Sequence, residues 1–422
     1  MNALDVYLHD ERAGLLERVD GAGLRFTYKS AWLAGAETPI SLSLPLREEP
    51  YQDAECRPFF KGLLPEGEFL RSIARTFHIS AENPFTVLQE IGGECAGAVS
   101  LVAPGGEPPF ASAPEPEWLT KPQLGSLLAE LPARPLLAGP HDDEGVRLSL
   151  AGTRDKLPVL LRDDRVGITR GRPPSTHIIK VPPPELEGFV VNEAYCMALA
   201  GAIGLSVAAA VPVRADHLEA LLVERYDRSR SDAAVRRIHQ EDLCQASGRP
   251  PEMKYEAEGG PGVAECARLI VTHAAGPGAS ILSFLDALLF NLLIGNADAH
   301  SKNYSLLLEG EGAPRLAPLY DLLSTRVYGR RFGRKMGMKY GGEYRPEWIR
   351  GRHLDRLGDD LGIAPRRVRR QADEIATRAL GSRDVARESL PPAWRDAPII
   401  DAIDAIVAEF AEILQRAADE PA

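Results

Sequence analysis

The stretch Ile294–Asn303, IGNADAHSKN, decides how the chain is read. It follows the apolar run Ile281–Leu293, which reads as a buried helix, so it falls in the loop ending that helix. A loop this dense in Asp, His, Lys and Asn is poor hydrophobic filler. Asp298 and Asn303 stand in a D-x4-N spacing. Phosphoryl transfer uses that pairing. A carboxylate orients or deprotonates the attacking hydroxyl, and an amide oxygen further along holds a magnesium ion beside the phosphates. Lys302 is placed to offset charge on the transferred group. The same residue types also close ordinary capped turns, so the spacing alone leaves both readings open.

Working outward, LAPLYD ends in Asp321, 18 residues after Asn303. A hairpin formed by Tyr304–Leu308 and Arg315–Ala317 would return Asp321 to Asn303, where it could complete a metal site. It could equally cap a helix starting at Leu322. Upstream, Thr176–Val181 (THIIKV) alternates like a strand and carries Lys180 near its end. Glu193, at the opening of a helix Asn192–Ala202, is the candidate for holding that lysine against nucleotide phosphates. A snorkelling lysine and a helix-terminus acid are the bland alternatives. Ser149–Lys156 (SLAGTRDK) is a small-residue turn before the strand Val159–Leu161, and its amides could cradle phosphate or simply close a hairpin. Leu222–Arg228 (LVERYDR) leaves a further strand. The order of these parts is that of a bilobal protein kinase. The expected fold class is α+β, with a small mixed N-terminal subdomain and a mainly helical C-terminal lobe.

The chain has 422 residues, 49 basic and 60 acidic, a formal net charge of -11. That length suggests two or three units, and the acidic balance excludes a generally basic nucleic-acid binder. The charge is uneven. Arg326–Arg370 holds 14 Lys/Arg against 5 Asp/Glu, a net of +9, leaving -20 for the rest. This segment is either a solvated helical face beside a long loop or a surface for an anion, nucleic acid or partner. Five scattered cysteines without a CxxC pair argue against a disulfide framework or a cysteine zinc site, and fit a reducing cytosol. MNALDVYLHDER lacks the apolar core of a signal peptide, so a cytoplasmic location is expected. Ala194–Val213 is uncharged but Ala- and Gly-rich; it reads as a buried helix, a turn at Ile203–Gly204 and a strand, not a membrane span. The expected division is a unit at 1–104, a linker with room for a short helix at 105–145, an N-lobe at 146–228 and a helical C-lobe at 229–422. Asp5–Leu8, Leu24–Tyr28 and Ile40–Leu44 are the strands expected in the first unit, with a helix from near Gly67.

With these residues assembled, the chain resembles the HipA family of bacterial toxin kinases. The resemblance rests on FFKGLLPEGE (Phe59–Glu68), LSLAGTRDK (Leu148–Lys156), THIIKV, NEAYC, LVERYDR, HQEDLCQASG (His239–Gly248), KYEAEGGPG (Lys254–Gly262), IGNADAHSKN and LYD, in one order along nearly the whole chain. It implies an ATP- and magnesium-dependent serine/threonine protein kinase. Asp298 would be the catalytic aspartate, and Asn303 and Asp321 the metal ligands. Lys180 would contact the phosphates, with Ala151, Gly152, Thr153, Arg154, Asp155 and Lys156 as the phosphate loop. Glu224 and Tyr226 would mark the adenine-contacting hinge, with His300, Lys302 and Tyr320 also beside nucleotide. Ser149 matches the family's autophosphorylated, self-silencing serine. The resemblance also implies a helix-turn-helix, HipB-like antitoxin that mediates contact with operator DNA, and glutamyl-tRNA synthetase as the best-known substrate. A non-catalytic antitoxin-binding co-repressor and a small-molecule kinase are the competing readings.

Overall fold

The computed structural model describes residues 2–19, 22–35, 38–106, 116–131, 156–169, 174–230, 235–308 and 314–421. Ser149 and Ala151–Asp155 lie outside them. The N-terminal unit is a four-stranded antiparallel sheet in the order β3-β2-β1-β4, from β1 (Ala3–Leu8), β2 (Glu11–Val19), β3 (Gly23–Tyr28) and β4 (Val99–Val102). Between β3 and β4 run helices α1 (Ser30–Gly35), α2 (Asp53–Gly62), α3 (Gly67–Thr76) and α4 (Pro84–Ile91). Alternate residues of β3 are buried, Leu24, Phe26 and Tyr28, as a half-buried strand requires.

Ile40–Leu44, expected as a strand, is a turn. The Leu44 N–H donates to the Ser41 carbonyl at 3.0 Å, and the Ser43 N–H donates to Ser41 Oγ at 3.0 Å. A serine that satisfies neighbouring backbone in this way competes with ladder pairing.

Next come β5 (Glu117–Leu119), α5 (Lys121–Glu130), β6 (Lys156–Arg162), β7 (Arg165–Ile168), β8 (His177–Lys180), α6 (Phe189–Ala202), β9 (Ala210–Ala215) and β10 (Leu218–Glu224). Their strands form one antiparallel sheet in the order β5-β7-β6-β8-β10-β9. The edge strand β5 and helix α5 fall within 105–145, so this sheet begins upstream of residue 146. Thr120 starts α5 with a capping box shared with Gln123. On β10, Leu221 and Val223 face the core beneath α6, while Ala220 and Leu222 face the core shared with α5 and the N-terminal unit. The uncharged stretch Ala194–Val213 is the end of α6, a turn at Gly204 (φ 83°) and the start of β9.

The remainder is mainly helical. Strands β11 (Arg228–Arg230) and β12 (Val235–Arg237) pair with each other, and β13 (His239–Asp242), β14 (Ser305–Leu308) and β15 (Arg315–Leu316) form a small sheet. Around it lie α7 (Leu243–Ala246), α8 (Val263–His273), α9 (Pro277–Leu293), α10 (Gly351–Leu361), α11 (Pro365–Gly381), α12 (Arg383–Ser389) and α13 (Pro398–Asp419). Helix α9 runs through the core, with Phe284, Leu285, Leu288, Leu289 and Leu292 fully buried. No described helix is long and apolar enough to cross a membrane. All five cysteines are free and buried. Within the basic segment, Arg326 pairs with Glu347, Lys339 with Glu256, and Arg369 with Asp355.

Candidate active site

Helix α9 ends at Gly295, whose φ of 63° suits glycine; a Cβ there would lie 2.9 Å from Arg326 Cβ and 3.0 Å from the Phe410 ring. The chain then turns into the loop carrying Asp298, His300, Lys302 and Asn303. Asn296 pins that loop: its amide donates to Asn291 Oδ1 at 2.8 Å and to the Asp321 carbonyl at 3.3 Å. The Ala297 N–H donates to Thr325 Oγ1 at 2.8 Å. The β14–β15 hairpin returns the chain so that Asp321 faces the same pocket as Asn303. No helix starts at Leu322. Asp321 instead adopts the left-handed region, φ 54°, which Asp tolerates better than most side chains.

Across the pocket, Lys180 reaches both Glu193, at 2.5 Å, and the Asp321 carboxylate. Helix α6 starts at Phe189, so Glu193 sits one turn inside it and not at its opening. Burial disfavours the Lys180 ammonium, but Asp321 and Glu193 outweigh that and hold its pKa above the ordinary value. Lys156 lies directly opposite Lys180 on the β6–β8 ladder. Burial, chiefly, brings the Lys156 pKa down to about 8. Two lysines side by side at the ends of central strands form an anion-attracting roof above the carboxylates.

The pocket gathers Lys156, Lys180, Glu224, Tyr226, Asp298, His300, Lys302, Asn303, Tyr320 and Asp321. Tyr226 follows β10 and stacks on Tyr320, with ring centroids 5.3 Å apart and planes 26° apart. Tyr320 is fixed by its hydroxyl, which donates to the Lys302 carbonyl at 2.7 Å. The Glu224 carboxylate points to Arg230, at 2.6 Å. His300 is held neutral, its pKa brought down to about 3 by burial and then by Lys254.

Lys302 is committed elsewhere than a free phosphate contact would require. Its ammonium is 2.9 Å from the buried Asp242 and 3.8 Å from the half-buried Glu66. Those carboxylates outweigh the burial cost and keep its pKa raised. Asn303 presents a buried side-chain oxygen with no hydrogen-bond partner among the described residues. Such an orphaned hard donor, beside the Asp321 carboxylate, fits a divalent cation that prefers oxygen ligands.

Sequence reasoning named no role for Glu66, Asp242, Lys254 or Tyr255, all of which meet at this site. Their signal was present in PEGE, HQED and KYEAEGG, quoted as signatures without a function.

The HipA N-terminal domain matches residues 4–102, and the HipA-like C-terminal domain matches residues 148–382. The chain belongs to the HipA family. A protein of Sinorhizobium fredii, Y4mE, is 44% identical over 334 residues, 78% of each chain. The serine/threonine-protein kinase toxin HipA of Shewanella oneidensis is 31% identical over 303 residues, 69% of this chain and 67% of that one. A solved complex of the Shewanella oneidensis MR-1 toxin antitoxin system, HipA, HipB and its operator DNA, contains a chain that superposes with a TM-score of 0.84 and 26% identity. That match covers 99% of this chain and 100% of the other. The fold is thus the HipA kinase fold, with the cleft between the six-stranded sheet and the helical lobe.

Proposed function

We propose that this HipA-family protein is an ATP-dependent serine/threonine protein kinase and the toxin half of a toxin–antitoxin pair. The observation that carries the reading is the Lys180–Glu193 pair facing Asp298, Asn303 and Asp321 across one pocket. In this reading Lys156 and Lys180 draw the phosphates to the ends of β6 and β8, and Tyr226 and Tyr320 wall the base. Asn303 and Asp321 hold magnesium, which supplies charge neutralisation on the phosphates when bound. Asp298 accepts the proton of the acceptor hydroxyl as the new O–P bond forms and the bond to the leaving ADP oxygen breaks. Lys302 acts through Asp242 and Glu66 in shaping the loop. Ala151–Lys156 bind the ATP phosphates, and phosphorylation of Ser149 silences the enzyme. The partner is a HipB-like helix-turn-helix antitoxin that brings the toxin to operator DNA. The substrate is an aminoacyl-tRNA synthetase, glutamyl-tRNA synthetase first, in the cytoplasm. Residues 1–104 form an accessory unit, 105–145 a linker that lends β5 and α5 to the N-lobe at 146–228, and 229–422 the C-lobe.

Incubating dephosphorylated protein with ATP and magnesium, then mapping phosphate by mass spectrometry, tests this. Phosphate on Ser149 and on glutamyl-tRNA synthetase, both lost in Asp298→Ala while ATP still binds, is the expected result. Growth inhibition undiminished in Asp298→Ala would make catalysis irrelevant to toxicity. Transfer to a metabolite but to no protein would favour a small-molecule kinase.

A further inference from the structure

Lys254, Tyr255 and Glu256 are consecutive, yet each reaches a different part of the molecule. The Lys254 ammonium lies 2.9 Å from the Glu66 carboxylate of the N-terminal unit. The Tyr255 hydroxyl donates to Asp298 Oδ1. Glu256 accepts from the Lys339 backbone N–H at 2.6 Å, and its own N–H donates to the Gly337 carbonyl at 3.1 Å. The Lys254 carbonyl also accepts from Ser301, from Oγ at 2.9 Å and from the backbone at 3.3 Å. The tripeptide is therefore stitched to the catalytic loop at Asp298 and again at Ser301.

The loop holding it is tight. The Tyr255 carbonyl accepts from the backbone of Glu258 at 3.0 Å and of Gly260 at 2.9 Å. A Cβ at Gly260 would stand 2.1 Å from the Met253 carbonyl oxygen. Tyr255 is further fixed by edge-on contact with His300, at 4.9 Å between centroids. Burial and the neighbouring Asp298 keep the phenol protonated, so it remains a donor. Glu66 lines the same pocket from the N-terminal unit, between Lys254 and Lys302. Burial opposes its ionisation, but those two lysines hold the carboxyl charged.

We propose that Tyr255 is a positioning residue for Asp298, and that Glu66, acting through Lys254, makes the N-terminal unit part of that support. The phenol fixes one carboxylate oxygen and leaves the other for the acceptor hydroxyl. The inference rests on the kinase reading above. It needs no new chemistry, since Tyr255 neither gains nor loses a covalent bond.

The test uses the full chain as wild type, Tyr255→Phe, Glu66→Gln, Glu66→Asp and the Tyr255→Phe/Glu66→Gln double variant. Transfer of labelled phosphate from ATP to the protein itself and to dephosphorylated casein gives the rate, and calorimetry with magnesium and ATP gives the affinity. Misplacing a reacting group can cost up to roughly 100-fold, so Tyr255→Phe and Glu66→Gln should each slow transfer by about tenfold or more. ATP affinity should stay within about threefold, because neither group is placed on the phosphates or the base. Glu66→Asp should recover part of the rate, and the double variant should be no slower than its slower parent, as residues acting as one unit are not additive. An undiminished rate in Tyr255→Phe, affinity lost in step with rate, or wild-type phosphate on Tyr255 itself overturns the role of the phenol. Full activity in Glu66→Gln, or additive losses in the double variant, overturns the link to the N-terminal unit. A wild type that binds ATP and magnesium but labels neither itself nor casein defeats the kinase reading instead.

Discussion

At the scale of single residues, the site is built from charges that hold one another. Lys180 is bound by Glu193 and Asp321, and Lys302 by Asp242 and Glu66. Glu193→Gln removes one of the two carboxylates fixing Lys180, so phosphate transfer should fall by roughly tenfold or more, with a rise in KM for ATP as the steady-state signature. His300 behaves differently. Its pKa lies near 3, so it carries no charge change between pH 5 and 8. His300→Asn should therefore leave the position of any rate transition in that range unmoved, whatever it does to the rate; a shifted transition in a pH–rate profile would contradict this. That Lys180, Asp298, Asn303 and Asp321 line one pocket was legible because their residue types stand in short patterns on a strand, a loop and a hairpin. Lys302 was legible as a site residue but not in its pairing, since Asp242 lies 60 residues away.

At the scale of elements, β13 carries a buried acid that sets a pH dependence. Glu241 accepts from the Ser41 hydroxyl and, at 2.9 Å, from the Leu42 N–H, so it anchors the turn that replaced the expected strand at Ile40–Leu44. Burial lifts its pKa to about 8, against an ordinary value of 4.5. The folded chain thus binds this proton more tightly than the unfolded chain. The stability it contributes is complete below about pH 4.5 and is lost as pH rises towards 8. Glu241→Gln should remove that loss, raising stability at pH 9 relative to wild type by a few kcal/mol at most, at about 1.4 kcal/mol per unit; urea melts at pH 5 and 9 measure it. The alternation of Ile40–Leu44 was misleading because periodicity registers apolar spacing but not the local hydrogen bonds of Ser41 and Ser43. The strands β6, β8 and β10 were legible for the opposite reason: nothing local competes with their ladders.

At the scale of the whole molecule, the N-terminal unit is joined to the segment that follows β10 by buried charge. Glu94, fully buried, meets Arg225 at 3.1 Å and Arg228 at 2.6 Å, and both arginines also meet Asp227. The Gly97 N–H donates to Asp227 at 2.7 Å, and the Gly97 carbonyl accepts from Arg228 and Arg237. Breaking a buried pair from one side costs about 3–5 kcal/mol, so Glu94→Ala should lower unfolding free energy by that order in urea denaturation. None of this was legible, because the partners are separated by more than a hundred residues and each reads locally as a surface charge. The network also bears on how the enzyme comes into being. Synthesis runs from the N-terminus, so Glu94 emerges 131 residues before Arg225, and Glu66 emerges 188 residues before Lys254. The accessory unit must wait on the ribosome with its acids unmatched until the second half of the chain arrives. Assembly of the N-terminal unit onto the site consequently waits on the C-terminal half, since its buried acids meet their partners only after Arg225 and Lys254 have been made.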